Sequence, residues 1–418
     1  MTEHRWEIIV IGAGAAGLMA AMRAAELGRR VLLLEKNRKP GVKILMSGGT
    51  RCNITHACDN RGIVEAFGKN GRFLHSALAM LSVQDVIKFF EGEGVATKVE
   101  DTGKIFPVSN RALDVLNALL QRLEKSGATL ALEEPVTDIR QHADGWEIVT
   151  NRHTFIAPRL IVTTGGQSYP GCGTRGDGYA FMEKLGHTIT PRHPALVPIT
   201  VDAPWVKDLQ GITLQDVTVR VMEANKALAS RRSSMLFAHF GLTGPAALDP
   251  SRAIVLHPAP TSLQLELDFL PTTKEPEFDE FLKSESLASG KKQLAVILSS
   301  LMPRRLADTL LTLTGQEADR KMTGLSKVDR SKLVVASKRL RVPIRGTMGY
   351  EKAEVTTGGV SLEEVDSRSM ESRKLPGLYL AGEILDVDGP IGGYNFQAAW
   401  STGFLAGTRA AQSLTTSE

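Results

Sequence analysis

Residues 7–17 read EIIVIGAGAAG and residues 31–35 read VLLLE, with alanine- and leucine-rich sequence of helical period between them. A short unbroken apolar run such as 7–11 suits a strand buried on both faces. Gly12, Gly14 and Gly17 follow at G-x-G-x-x-G spacing and open a helix over 15–27, which Gly28 ends as a C-cap. VLLLE supplies the next buried strand, so the whole stretch is a βαβ unit. In that context Gly12 permits the tight turn, Gly14 lets backbone approach a pyrophosphate, and Gly17 lets helix and strand pack closely. Free N–H groups and the helix dipole favour the phosphates at that N-terminus. Glu35, eighteen residues after Gly17, is placed to accept hydrogen bonds from ribose hydroxyls and disfavours a 2′-phosphate.

A second segment decides which dinucleotide. Residues 378–383, LYLAGE, form an apolar strand ending in Gly382-Glu383, and LDVDGPIGGYNFQAAWSTG follows. A strand that delivers a carboxylate, then a glycine-rich entry into a helix, suits the far end of a long dinucleotide, FAD rather than NAD. Glu383 would bind ribitol or ribose hydroxyls, and the helix opening near Gly392–Asn395 would aim N–H groups at the flavin pyrimidine. Taken alone, the same letters fit a plain strand–helix pair of the sheet. Between the halves lies KILMSGGTRCN at 43–53. Its paired glycines let backbone lie against a flat ring, with Lys43, Arg51 and Asn53 near phosphate or ring oxygens; a turn with solvated basic residues fits too. Gly171, Gly173 and Gly176 repeat the glycine spacing, but Tyr169-Pro170 precedes them and no strand-end acid follows. That loop reads as part of the same flavin site. No resident NAD(P)H domain is expected, while transient NAD(P)H binding stays open.

A length of 418 residues suggests two or three domains. At 42% hydrophobic and 23% charged residues, composition is that of an ordinary globular protein. A net charge of +4 is too small by itself to argue for nucleic acid or membrane. Cys52, Cys58 and Cys172 are the only cysteines, which argues against a secreted disulfide framework and for a reducing compartment. With no uninterrupted span-length apolar run, the expectation is a cytoplasmic protein with no membrane partner. Residues 194–271 carry short strand-like runs and many prolines, 275–340 turn helical and charged, and strands return after Arg341.

Two features invite catalytic roles. Cys52 and Cys58 could form a redox pair, but five residues separate them rather than the four of disulfide reductases, and no histidine follows His257 to act as base. His239, within LFAHFGLTGPA, is a candidate acid–base group, though a histidine in an apolar setting more often reads as a satisfied core residue. No metal site is expected. Segment 291–341 holds twelve Lys/Arg against four Asp/Glu and no aromatic residue. It motivates a rival reading, a flavoprotein that binds or modifies nucleic acid, but a basic helical face is usually just solvated, so a small-molecule substrate is expected.

SGGTRCN, KIFPVSNRALDVL, TTGGQSYPGCGTRGDGYAFMEKLGH, LFAHFGLTGPA, VTTGGVSL and MESRKLPGLYLAGEILDVDGPIGGYNFQAAWSTG together resemble the successive motifs of the BaiN/YhiN-like bacterial FAD-dependent oxidoreductases, over nearly the whole chain. Thr50 departs from that pattern, which carries a third glycine there, and Pro170-Gly171-Cys172 replaces a more polar stretch. The resemblance implies an α/β fold, with a discontinuous Rossmann-like FAD domain interrupted by a β-barrel-like insert that carries a small helical subdomain. The boundaries read as 1–193 and 349–418 for the FAD domain, 194–273 for the β-rich insert, 274–338 for its helical subdomain and 339–348 for its return strand. Carried over by position, FAD would touch Gly12, Ala13, Gly14, Ala15, Ala16, Gly17, Glu35, Lys36 and Lys43. It would also touch Ser47, Gly48, Gly49, Arg51, Cys52, Asn53 and the backbone of Val136. Gly165, Gly166, Asp177, Gly382, Glu383, Gly393, Tyr394, Asn395 and Phe396 complete the set. The expected reaction is hydride transfer between a small organic substrate and flavin N5, in a cleft between FAD domain and insert.

Overall fold

The computed structural model describes residues 3–317 and 319–414. They form two compact units, one running up to His193 and resuming at Val355, the other Pro194–Glu354. In the first unit, β1 (Ile8–Ile11) is buried at every position and feeds α1 (Ala15–Glu26), nine of whose twelve residues are buried. β2 (Val31–Leu34) follows, then α2 (Val42–Thr50), a run of helices including Val83–Gly92 and Ala112–Ser126, and β3 (Thr129–Ala131). A separate sheet holds Val136–His142, Gly145–Thr150, Thr154–Ala157 and Glu3–Arg5. β4 (Arg159–Val162) and α3 (Asp177–Lys184) complete this first pass.

The second unit is built around a closed antiparallel barrel. Its strands are β5 (Ile199–Val201), β6 (Thr213–Glu223), β7 (Lys226–Ala238), β8 (Gly241–Thr243), β9 (Gln264–Asp268) and β10 (Leu340–Thr347), in the order β5-β8-β7-β6-β9-β10. Alternation sends Val219, Val221, Leu265, Leu267, Val342 and Ile344 into the core. Between β9 and β10 the chain makes α4 (Glu275–Ala288), α5 (Leu294–Ser299), α6 (Arg304–Leu313) and α7 (Lys327–Lys338). Their apolar stripes, including Phe278, Leu298, Leu310 and Leu333, join the same core.

Returning to the first unit, the chain adds β11 (Leu378–Leu380) and α8 (Tyr394–Gln412). The central sheet is parallel throughout, ordered β11-β4-β1-β2-β3, with Leu160 opposite Ile9 and Leu378. β1, β2 and β11 read as unbroken apolar runs because they are buried at every position, whereas the edge strand β3 is partly exposed. Among the described residues no single helix is long and apolar enough to cross a membrane; one bent pair, Gly68–Met80 with Val83–Gly92, passes on length and composition alone. The apolar residues of that pair, including Leu78, Val86 and Phe90, are buried in the core.

α8 lies against α1 at backbone distance. A methyl on Gly403 would collide with the Ala16 carbonyl, and one on Gly407 with the Ala20 carbonyl. Glycine inside a helix ordinarily costs about 1 kcal/mol relative to alanine. Gly407→Ala should therefore stabilise an isolated helix, yet here it should destabilise the protein by roughly 1–3 kcal/mol through overpacking. Chemical denaturation of the purified variant checks this; a gain in stability would show that the two helices do not need this approach.

A buried polar knot ties the end of α3 to the segment before β11. His187 Nδ1 lies 3.0 Å from Glu364 Oε2, its Nε2 lies 2.9 Å from Ser372 Oγ, and Lys374 Nζ lies 2.6 Å from Glu364 Oε1. Burial pushes the His187 imidazole below its usual 6.5, against the pull of Glu364. Burial alone would raise the Glu364 carboxyl, but hydrogen bonds from Lys374, Thr188 and His187 outweigh it and hold the group at about 2. Both groups bind protons more readily in the unfolded chain, so acid favours unfolding. The loss begins as pH falls through 6.5 for His187 and through 4.5 for Glu364. Melting temperature should fall between pH 7 and 5, and His187→Gln should flatten that part of the profile; an unchanged slope in the variant would remove His187 as its source.

Candidate functional site

The glycine fingerprint is realised residue by residue. Gly12 holds φ +101, and a methyl there would lie 2.7 Å from the Thr163 carbonyl oxygen. A methyl on Gly17 would collide with the Gly12 carbonyl, so helix and strand touch. One on Gly14 would meet nothing within 4 Å. That open side, at an α1 N-terminus with no side-chain cap, leaves the first-turn N–H groups for an anion. Glu35 is buried just past β2, its oxygens 2.9 Å from the N–H groups of Ala13 and Asn37. A carboxylate accepts about four hydrogen bonds, so capacity remains for ribose hydroxyls. The Glu133 and Glu134 N–H groups donate to the carbonyls of Asn37 and Glu35, bringing the strand that starts at Val136 alongside.

The distant C-terminal residues arrive at this point. A methyl on Gly382 would lie 2.8 Å from the Ala16 Cβ. Glu383 accepts from Lys43 Nζ at 2.6 Å and from the Thr356 N–H at 2.8 Å, while Gly166 packs against its other side. Lys36 pairs with Asp177 at the start of α3. Gly173 packs on Asn37, and the Asn37 side chain donates to the Cys172 carbonyl at 3.2 Å, so the repeated-glycine loop sits two residues beyond Glu35. Gly165 takes φ +73. Ion pairs this exposed contribute about 0–1 kcal/mol each, so they position the groups more than they stabilise the fold.

Residues 43–53 differ from the loop expected. Most of the stretch lies within α2, which breaks at Ser47 (ψ 151), Gly48 and Gly49. Gly48, Gly49, Thr50 and Cys52 all hold positive φ, between 56 and 69. The apolar spacing of Val42, Ile44 and Leu45 supports a helical turn, and the left-handed residues then end it. Thr50, standing where the resembling family has glycine, bears roughly 1–2 kcal/mol of left-handed strain. Gly49 faces open space, whereas a methyl on Gly48 would lie 3.1 Å from the Asn53 nitrogen and the Phe106 ring. Arg51 stacks on Phe106 at 3.9 Å and pairs with Glu100 at 2.6 Å, which holds the turn in place. Asn53, its carboxamide oriented to satisfy both partners, accepts from the Gly393 N–H at 2.9 Å and donates to the Thr55 carbonyl at 3.0 Å. The opening of α8 is thereby tied to this turn. Asn395 closes the preceding loop on Gly389, Tyr394 stacks on His56 at 4.4 Å, and Phe396 on Trp400 at 5.3 Å.

The two catalytic candidates lie elsewhere in character. Cys52 is fully buried, and burial pushes its thiol up to about 12 against a hydrogen bond with Ser47. Cys58 is pushed to about 11 by burial and by Asp59, and both thiols are free. His239 is not a core residue. It sits exposed in the turn joining β7 to β8 in the second unit, edge-on to Phe240 at 5.0 Å. The flanking apolar letters belong to barrel strands, while a two-residue hairpin turn projects its own side chains outward.

Several site residues were not singled out from sequence. Thr163 Oγ1 donates to the Ile11 and Gly12 carbonyls, and Thr356 Oγ1 accepts from the Gln167 and Ser168 N–H groups. Thr164 Oγ1 is buried without a partner among the described residues. Threonine pairs at 163–164 and 356–357, each leading into two glycines, were the available signal. The open face at Gly14, the acid at Glu35 and the carboxylate at Glu383 together fit an extended dinucleotide. Among the described residues no group of three or more His, Cys, Asp or Glu could hold a metal.

Residues 6–409 match the family model described as HI0933-like protein Rossmann domain. The chain belongs to this family. This HI0933-like protein is 36% identical over 399 residues to the ribosomal RNA dihydrouridine synthase of Escherichia coli (strain K12), covering 96% of each chain. It is 32% identical over 410 residues to the 3-dehydro-bile acid delta(4,6)-reductase of Clostridium scindens, covering 96% of this chain and 98% of that one. Its fold is also that of the 3-ketosteroid delta1-dehydrogenase of Sterolibacterium denitrificans, with TM-score 0.52 at 14% identity, over 98% of this chain and all of that one. The HI0933-like protein is an FAD-dependent oxidoreductase. When bound, FAD supplies the hydride chemistry.

The two later fingerprint glycines should fail in different ways. Gly14→Val should lose most of its yellow flavin absorbance, while its melting temperature stays within a few degrees of flavin-stripped wild type. Gly17→Val should lose the fold itself, by 3 kcal/mol or more on the scale of severe core clashes. Full flavin retention in Gly14→Val would contradict the phosphate approach assigned to that open face.

Proposed function

We propose that this protein reduces a carbon–carbon double bond conjugated to a carbonyl, and that its substrate is uracil within ribosomal RNA. The observation that carries the reading is the 36% identity, end to end, with a ribosomal RNA dihydrouridine synthase. The chemistry implied by the relatives' names supports the reaction class. Dihydrouridine arises by adding two hydrogens across the uracil double bond next to its carbonyl. A delta(4,6)-reductase acting on a 3-dehydro bile acid likewise saturates bonds conjugated to a ketone. When bound, reduced FAD would supply hydride to the carbon remote from the carbonyl, a proton from solvent would add to the carbon beside it, and NADH or NADPH would supply the hydride that returns FAD to its reduced form.

This chain's contribution is to orient the cofactor and set its electrostatics. Glu35 and Glu383 take the hydroxyl-bearing parts of the dinucleotide, Gly12–Gly17 the phosphates, and the opening of α8 the pyrimidine edge. Hydrogen-bond donors at that edge stabilise negative charge on the reduced ring. The buried, protonated Cys52 thiol is a weak candidate for electron relay, since the thiolate is the reactive form.

The test is to incubate FAD-loaded protein and NADPH or NADH anaerobically with ribosomal RNA from a strain lacking this chain. The expected result is a uridine-containing fragment heavier by two hydrogens, with matching nicotinamide oxidation. A 3-oxo steroid acid with a conjugated double bond serves as the parallel substrate. Turnover of that compound with no change in the RNA would replace the RNA reading by a small-enone one. Turnover of neither would sink the reaction class.

A further inference from the structure

The proposed RNA substrate needs a place to grip, and the helical part of the second unit supplies one that differs from the linear charge pattern. Of the twelve Lys/Arg between 291 and 341, seven are committed to the fold. Arg304 pairs with Asp308 at 2.9 Å, Arg320 with Asp329 at 2.9 Å, and Arg305 donates to the Asp208 and Gln210 carbonyls. The other four reach acids outside the segment: Arg330 to Asp279 at 3.0 Å, Lys338 to Asp268 at 2.7 Å, Arg339 to Glu275 at 2.7 Å and Arg341 to Glu266 at 2.8 Å. Much of the basic excess seen in sequence is therefore cancelled in space.

What remains is all lysine. Lys291, Lys292, Lys321, Lys327 and Lys332 are exposed, and among the described residues none lies within ion-pair distance of a carboxylate. Three of them are gathered by backbone pairing. Gln293 bridges Lys321 in antiparallel register, the Met322 N–H donates to the Lys292 carbonyl at 2.9 Å, and the Leu294 N–H donates to the Arg320 carbonyl at 2.7 Å. Lys291, Lys292 and Lys321 thus project from one short two-stranded connector at the start of α5. Glu317 and Asp319 lie in the nearby loop and dilute the field without pairing to any of the three.

We propose that this connector is a docking surface for the phosphate backbone of folded RNA; the inference rests on the ribosomal RNA reading above. The division of labour follows from side-chain chemistry. Arginine's planar fork suits fixed structural pairs, whereas a lysine ammonium on a flexible stem tracks phosphates as a mobile point charge. With no aromatic residue between 291 and 341, the surface lacks a stacking platform for bases. Contact there is electrostatic and independent of sequence, and it releases counterions from the RNA.

Full-length, FAD-loaded protein is titrated into a fluorescent hairpin from ribosomal RNA across a range of potassium chloride concentrations. The triple variant K291E/K292E/K321E should bind at least tenfold more weakly, and its slope of log affinity against log salt should shrink by about 2–3. K291Q/K292Q/K321Q, which removes charge without adding repulsion, should lose the same share of slope. Flavin content and melting temperature report on folding, and K226E on the barrel hairpin serves as a charge control. Unchanged affinity and slope in the Gln variant would overturn the surface and leave the substrate reading standing. Wild-type protein that binds no RNA at any salt would overturn both.

Discussion

The close approach of α1 and α8 is the constraint on which the first unit depends. Both ends of the dinucleotide site are carried by these helices or by the strands leading into them, and their separation is set where Gly403 and Gly407 meet the Ala16 and Ala20 carbonyls. Any side chain beyond hydrogen at the two glycines would hold the helices apart. Gly382 would then leave Ala16, and Glu383 would leave the neighbourhood of Lys43. Alanine-rich α1 presents the matching smooth face: seven of its twelve residues are alanine or glycine. Helix propensity is sacrificed at two positions of α8 so that two segments nearly 390 residues apart form one surface.

Electrostatics at that surface follow the same economy. Lys36, Lys43, Asp177 and Glu383 come from three separate stretches of chain and close into two pairs. Each pair is partly solvated, so its net stabilisation is small, and its effect is to hold two carboxylates and two ammonium groups in fixed positions. A long polyhydroxylated, phosphorylated ligand meets both signs of charge along its length. The buried Glu35 is different in kind. Two backbone N–H groups fix it, and its position does not depend on a mobile partner.

Much of this was legible in sequence because the relevant signals are local. Apolar runs at 8–11, 31–34 and 378–380 mark strands buried on both faces, and the glycine spacing at 12–17 carries its own steric logic. Less legible were features whose cause lies far along the chain. Nothing near Gly403 announces that Ala16 will be its neighbour. The apolar flanks of His239 suggested burial, because a linear reading does not show a barrel strand ending two residues before its partner begins. Residues 43–53 looked like a loop from their glycines, yet a helical turn survives up to Ser47, and the left-handed positions that follow, interrupted by right-handed Arg51, include two residues with side chains, Thr50 and Cys52. Backbone strain of that kind has no composition signature.

Charge is the property that a linear reading shows least well, and the reason is general. A segment's net charge counts its own residues, whereas the field at its surface depends on what folds against it. Glu266 and Asp268 on a barrel strand, and Glu275 and Asp279 on α4, neutralise cations that follow them by dozens of residues. Asp268 with Lys338 is nearly buried, and burying one charge without the other would cost several kcal/mol, so this pair is a fixed part of the fold. The lysines outside such pairs have no structural duty that would require a charge at all. An exposed ammonium that stabilises nothing internally is free to be used on a ligand, which makes the unpaired remainder, rather than the total, the quantity to compare between basic proteins.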